Sequence, residues 1–219
     1  MTRPFSTDGR GGLGRLDRLA GLDRIPTRRG ALGLLGLSGL ALAGCGSSGS
    51  EDLAQQAQSG EDKGYVSGSG VITQLSGDER GEPLDLDFET LTGESTSLAS
   101  WRPRVVAINL WYAACPPCRV EAPDLNATYE HFGDQVEFLG VNVRDQAATA
   151  ESFVRTFEVP YPIMIDGDGS MVSLLSSVLP PQATPSTVIL DASGRAAARV
   201  VGAVTQSTLT GLIEDVLAQ

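Results

Sequence analysis

Two cysteines at C-x-x-C spacing, Cys115 and Cys118, stand in the stretch Trp111-Tyr112-Ala113-Ala114-Cys115-Pro116-Pro117-Cys118. The run before them, 105–110, is apolar but for Asn109 and reads as a buried strand. After them Ala122, Leu125, Tyr129 and Phe132 recur at i, i+3, i+7 and i+10, one face of a 3.6-residue period. A strand therefore feeds a helix whose N-terminus holds both thiols. Unbonded N–H groups and the positive end of the helix dipole favour a thiolate there, and the thiolate is the nucleophile of disulfide exchange. Cys115, at the helix entrance, is the expected attacking thiol. Cys118, one turn in, is the expected resolving partner, and the two close a redox-active disulfide.

Three other readings of the pair stay open on the residues alone: an inert structural disulfide, half of a metal site, and a peroxidase. A structural zinc site needs four Cys or His ligands, and besides the pair and Cys45 the chain offers only His131, at the far end of the helix, so no metal is expected. An inert bond would leave an activating position unused. The residues before Cys115 lack the Pro and Thr pattern of a peroxidase site.

Far downstream, Ala183-Thr184-Pro185-Ser186 opens the apolar run 187–190. A proline there fits an X-Pro turn ahead of a strand. Together Asn109-Leu110-Trp111, Cys115-Pro116-Pro117-Cys118-Arg119, Glu121, Pro123 and Thr184-Pro185-Ser186-Thr187 resemble the thioredoxin superfamily and, within it, the TlpA/ResA-like thiol-disulfide oxidoreductases in their lipoprotein form, over residues 81–219.

That resemblance implies an α/β fold, a central mixed sheet flanked by helices, with an N-terminal β-hairpin and a central insertion. It implies that Pro185, taken as cis, packs on the disulfide and leaves the backbone of Thr184 to pair with an extended substrate. Trp111, Tyr112, Pro116 and Pro117 are expected to join Thr184 and Pro185 in contacting substrate, Trp111 from under the active-site turn and Tyr112 from its rim. A functional glutamate is implied at Glu121, where it would tune Cys118 or relay its proton; a solvated helix glutamate is the alternative. A nearby carboxylate would raise the thiol pKa values. The chain departs from its relatives in two places. Asn109 stands where many thioredoxins carry a proton-moving acid, and Ala114 where many have Trp.

The resemblance further implies reduction of apocytochrome c thiols, with electrons restored by a membrane donor and no bound cofactor. An oxidase or isomerase for exported proteins uses the same residues in the other direction. From a different class, the fold could serve as a non-catalytic peptide-binding module.

Residues 1–44 read as a leader. Arg28-Arg29 precedes an apolar stretch, 31–43, too short for the roughly 20 residues of a spanning helix. The stretch ends in Leu42-Ala43-Gly44-Cys45, which resembles a lipoprotein signal with Cys45 lipidated. Thr27-Arg28-Arg29 also resembles a twin-arginine export signal. With Cys45 carrying lipid, two of the three cysteines remain and make one pair. Residues 45–75, Ser-, Gly- and acid-rich, read as a flexible tether, and 76–219 as the thioredoxin-like domain. The expected location is the extracytoplasmic face of a bacterial membrane, where disulfides persist.

The chain has 16 basic and 27 acidic residues, and seven Arg and three Asp of these lie in 1–44. The rest is strongly acidic, which argues against nucleic-acid partners. Protein dithiols and disulfides are the expected partners of a monomer.

The remaining elements follow from periodicity. A half-buried strand is expected at 84–88, a turn at 92–94, strands at 136–143 and 161–165, and helical faces at Ala150, Phe153, Val154, Phe157 and at Met171, Leu174, Leu175, Val178. A hairpin of 186–190 with 196–201 and a last helix through Leu209, Leu212, Ile213, Val216 and Leu217, capped by Thr205 or Ser207, complete the reading.

Overall fold

The computed structural model describes residues 70–180 and 183–219. Six strands form one mixed sheet: β1 (Val71–Gln74), β4 (Val105–Trp111), β5 (Val136–Asn142), β6 (Ile163–Ile165), β7 (Ser186–Leu190) and β8 (Ala196–Val201), in the order β1-β8-β7-β4-β5-β6. Strands β4, β5 and β6 run parallel, while β7 is antiparallel to β4 and β8, and β1 antiparallel to β8. A separate hairpin pairs β2 (Asp87–Glu89) with β3 (Ser95–Ser97). The helices are α1 (Pro116–Phe132), α2 (Ala147–Phe157), α3 (Ser170–Leu175) and α4 (Gln206–Leu217). This is the thioredoxin-like fold the sequence implies, N-terminal hairpin included.

Every residue of β4 is buried, because the central strand of a sheet covered on both faces must be apolar on both. Its side chains alternate between two cores. Val105, Ala107 and Trp111 pack with α1, α2 and α4; Val106, Ile108 and Leu110 pack with Leu98, Phe88 and the α3 residues Met171 and Leu175. Asn109 points to the first of these, among apolar neighbours, by the same alternation.

Local chemistry ends each helix. Gly133, at φ 53°, closes α1. Asn126 Nδ2 donates to Phe157 O at 2.8 Å and ties the end of α2 to α1. Asp166 accepts from the N–H groups of Met171 (3.0 Å) and Val172 (2.9 Å), so it caps the short α3. Thr205 Oγ1 accepts from Thr208 N and caps α4 as expected. Helix α1 runs on through Pro123, which removes one donor from the ladder.

Several boundaries differ from expectation. The tether was expected to reach 75, yet 71–74 form β1 at the sheet edge, in register with β8 from Val71↔Val201 to Gln74↔Ala198. Val71 and Thr73 are half-buried and Ile72 and Gln74 exposed, so the composition of 71–74 carries little core signal. Leu84 donates its N–H to Gly194 O instead of pairing in a strand, and β2 covers only Asp87–Glu89. Strand β6 starts at Ile163, after Pro162, which has no N–H for a ladder. Leu217 faces solvent at the fraying end of α4. The leader, Cys45 and all but the end of the tether lie outside the described residues.

Candidate active site

Strand β4 ends at Trp111, and a four-residue turn closed by Cys115 N–H to Tyr112 O (3.1 Å) delivers the chain to α1. Cys115 is the N-cap of that helix and Pro116 and Pro117 are its first two residues. Proline suits the first turn because its missing N–H has no helical partner there. The two prolines leave Cys118 as the first residue of the turn with a free N–H, and it donates to Cys115 Sγ at 3.3 Å. The first intrahelical bond, Arg119 N to Cys115 O, follows at 3.2 Å. An N–H aimed at the sulfur, added to the helix dipole, is what stabilises a thiolate at this position.

Cys115 and Cys118 are joined in a disulfide with Cα atoms 5.3 Å apart. Both are buried, at 0 % and 2 % exposure, so access does not distinguish them. Position does: Cys115 holds the cap and Cys118 lies in the helix.

Glu121 is 1 % exposed, and the solvated alternative falls. Its Oε1 accepts from Asn109 Nδ2 at 3.0 Å and its Oε2 from Val204 N at 3.1 Å. Asn109 also donates to Thr187 Oγ1 at 3.2 Å, from the residue paired with it on β7. Burial pushes the Glu121 carboxyl up to about 8, against the two hydrogen bonds that favour its charged form. The charged form that would oppose the thiols is therefore populated only toward and above about pH 8. The strand amide of Asn109 thus holds a buried carboxyl that comes from the helix.

Cys118 and Asn109 border one small internal void of about 10 Å³, together with Trp111, Phe153 and Tyr161. Trp111 Nε1 is buried without a hydrogen-bond partner among the described residues, and its ring packs at 4.3 Å on Phe153. Trp111 thus sits under the turn as expected, but at 4 % exposure it presents no surface to substrate. Tyr112, expected at the rim, is 6 % exposed, with the Arg144 guanidinium 4.5 Å above its ring. Pro116 is exposed and Pro117 partly so.

The register Leu110↔Ser186 brings Thr184 and Pro185 beside the end of β4, and the Thr184–Pro185 bond is cis. Gly202 N donates to Pro185 O at 2.9 Å, whereas neither N–H nor C=O of Thr184 bonds another described residue. Among the described residues no group of three or more His, Cys, Asp or Glu could hold a metal, and no helix is long and apolar enough to cross a membrane.

Asp145 escaped the sequence reading. Its Oδ2 accepts from Ala113 N (2.6 Å) and Asn142 Nδ2 (2.8 Å), bracing the active-site turn from the end of β5. No periodicity marks it, because the contact spans 32 positions.

The AhpC/TSA family matches residues 82–199. The chain is 30 % identical over 115 residues to the thiol:disulfide interchange protein HelX of Rhodobacter capsulatus, covering 52 % of this chain and 62 % of that one. It is 28 % identical over 123 residues to the thiol-disulfide oxidoreductase ResA of Bacillus subtilis, covering 56 % and 66 %. The chain thus spans just under two thirds of the length of either relative. Among solved structures, a DsbF homologue from Corynebacterium diphtheriae superposes with TM-score 0.62 at 32 % identity, over 66 % of this chain and 92 % of that one.

Proposed function

Because the chain belongs to the AhpC/TSA family, and because its cysteine pair stands oxidised on a helix N-terminus, we propose that it is a protein thiol-disulfide oxidoreductase. The observation that carries this is the Cys118 N–H aimed at Cys115 Sγ, with a Thr184 backbone that bonds no other described residue. In the reducing direction the Cys115 thiolate attacks one sulfur of a substrate disulfide. The S–S bond breaks, its other sulfur leaves as a thiolate, and a mixed disulfide forms. The Cys118 thiolate then attacks Cys115 Sγ and releases the second substrate sulfur. Two electrons pass from the dithiol to the substrate, and the Cys115–Cys118 bond is restored.

The substrate strand pairs with Thr184 and rests on Pro116, Pro117 and Pro185. Glu121, whose carboxyl titrates near pH 8, takes the proton of Cys118 as its carboxylate and gives it back as the neutral acid. The protein works at the extracytoplasmic face of the membrane, held by lipid on Cys45, and reduces protein disulfides such as those of apocytochrome c with electrons from a membrane donor. The leader and tether composition and the kinship to HelX and ResA support this reading.

The reduction potential of the pair decides direction. A value near about −270 mV supports a reductase, and one near about −120 mV an oxidant of exported proteins. Cys115→Ser is expected to abolish exchange and Cys118→Ser to accumulate mixed disulfide, read by mass spectrometry. Peptide binding retained without any exchange by the wild type would favour a binding module instead. Loss of radiolabelled lipid in Cys45→Ala tests the anchor.

A further inference from the structure

A groove of about 290 Å³ lies between α3 and the C-terminal ends of β4 and β5, on the strand that leads into the active-site turn. Its walls are apolar, with Val143, Val172, Leu179 and Ala183 among them, and Thr184 lies at its margin. Arg144 is the single charged residue among the described residues that line it. Its guanidinium is exposed and held over the Tyr112 ring, which fixes the cation at the mouth of the groove.

Arg144 is unusual among the described arginines in its partners. Arg80, Arg104, Arg155 and Arg195 pair with carboxylates. Arg102 and Arg199 donate to carbonyl oxygens of Leu84 and Val178. The remaining two flank the active-site turn: Arg119, stacked on Phe157 and bonded to Ala113 O, and Arg144, which has no carboxylate within ion-pair distance among the described residues. Arg144 alone among the described arginines has neither a carboxylate nor a carbonyl partner, and it lines the groove that Thr184 borders.

We infer that Arg144 is a specificity-determining residue, selecting substrate segments that carry a carboxylate close to the reactive cysteine and an apolar side chain for the groove. The occupant is an extended segment of a disulfide-bearing protein. Its backbone pairs with Thr184, its apolar side chain enters between Val143 and Val172, and its carboxylate meets the free guanidinium. The inference rests on the exchange reading above and adds the charge of the substrate to it.

The test uses the reduced wild-type protein and three extended peptides, each with one cysteine blocked as an S-methyl mixed disulfide and flanked by apolar residues. The neighbouring positions carry Glu, Gln or Lys. The wild type is expected to reduce the Glu peptide about three- to five-fold faster than the Lys peptide at fixed salt, the size of one exposed ion pair. Arg144→Gln should bring that ratio close to one, Arg144→Glu should invert it, and Arg144→Lys should keep its sign. Circular dichroism verifies that each variant is folded. Equal rates in the wild type, or a ratio unmoved in folded Arg144→Glu, overturns the inference. Uncharged hydroxyethyl disulfide separates the two failures. If the wild type reduces it while the ratio is flat, selection alone fails; if the wild type does not, the exchange reading fails and the inference falls with it.

Discussion

Glu121 titrates far from the value a carboxyl has in water. Its folded pKa lies near 8 against an ordinary 4.5, the cause being burial. Between those values the folded protein keeps a proton that the unfolded chain has released, so stability falls as pH rises through that window and is unaffected by this group below it. The urea midpoint of the oxidised protein is therefore expected to drop from about pH 5 to about pH 8, and Glu121→Gln to flatten most of that slope. In the reduced protein, Glu121→Gln removes the negative charge that forms above about pH 8, so the Cys118 thiol should ionise at lower pH, followed by thiolate absorbance. An unchanged thiol titration and exchange rate would remove Glu121 from the mechanism. Asn109→Ala strips the carboxyl of a buried donor; it should cost about 1–3 kcal/mol and push the Glu121 titration higher still.

At the scale of elements, the site depends on how strands and helices meet. Gly140, on β5 opposite Asn109, leaves room for the indole: a Cβ there would run into Ile163 Cδ1 and lie 3.0 Å from Trp111 Nε1. Gly140→Ala should cost about 1–3 kcal/mol by overpacking, read by chemical denaturation, and should shift Trp111 fluorescence. The short helix α3 has too few turns to stand by its own hydrogen bonds and relies on Asp166. Asp166→Ala should lower stability by about 1–2 kcal/mol and loosen the α3 wall of the groove beside Thr184. Amide hydrogen exchange at Met171 and Val172 measures that loosening, and protection unchanged in the variant would refute the capping role.

At the scale of the molecule, β1 closes an edge that β8 would otherwise expose. It adds Leu75 N to Ala197 O (2.8 Å) and Gly70 N to Ala203 O (3.0 Å) to its ladder, and Arg80 behind it pairs with Asp191 at the β7–β8 turn. Deleting 71–74 should lower stability by about 2–4 kcal/mol in urea denaturation, as several hydrogen bonds of about 1 kcal/mol each are lost, and should promote association through the bare β8 edge, read by light scattering.

The pair of thiols, the strand that feeds them and the helix that holds them were legible in the residues. Each is a local pattern: an apolar run, a 3.6-residue period, and prolines where a helix begins. The order of elements followed from the same periods. Which side chains meet across the sheet was not local. Asn109 and Glu121 lie twelve positions apart and Glu121 and Val204 eighty-three, so only the packing of α1 on β4 and α4 decided that Glu121 is buried and protonated. Tyr112 turned inward for the same reason, under a guanidinium that no spacing foretold. Sequence settled what chemistry the cysteines can do, because reactivity belongs to residue type and helix position. Tertiary structure settled the proton state and the surroundings of the site, because burial and charge partners are properties of contacts between distant segments.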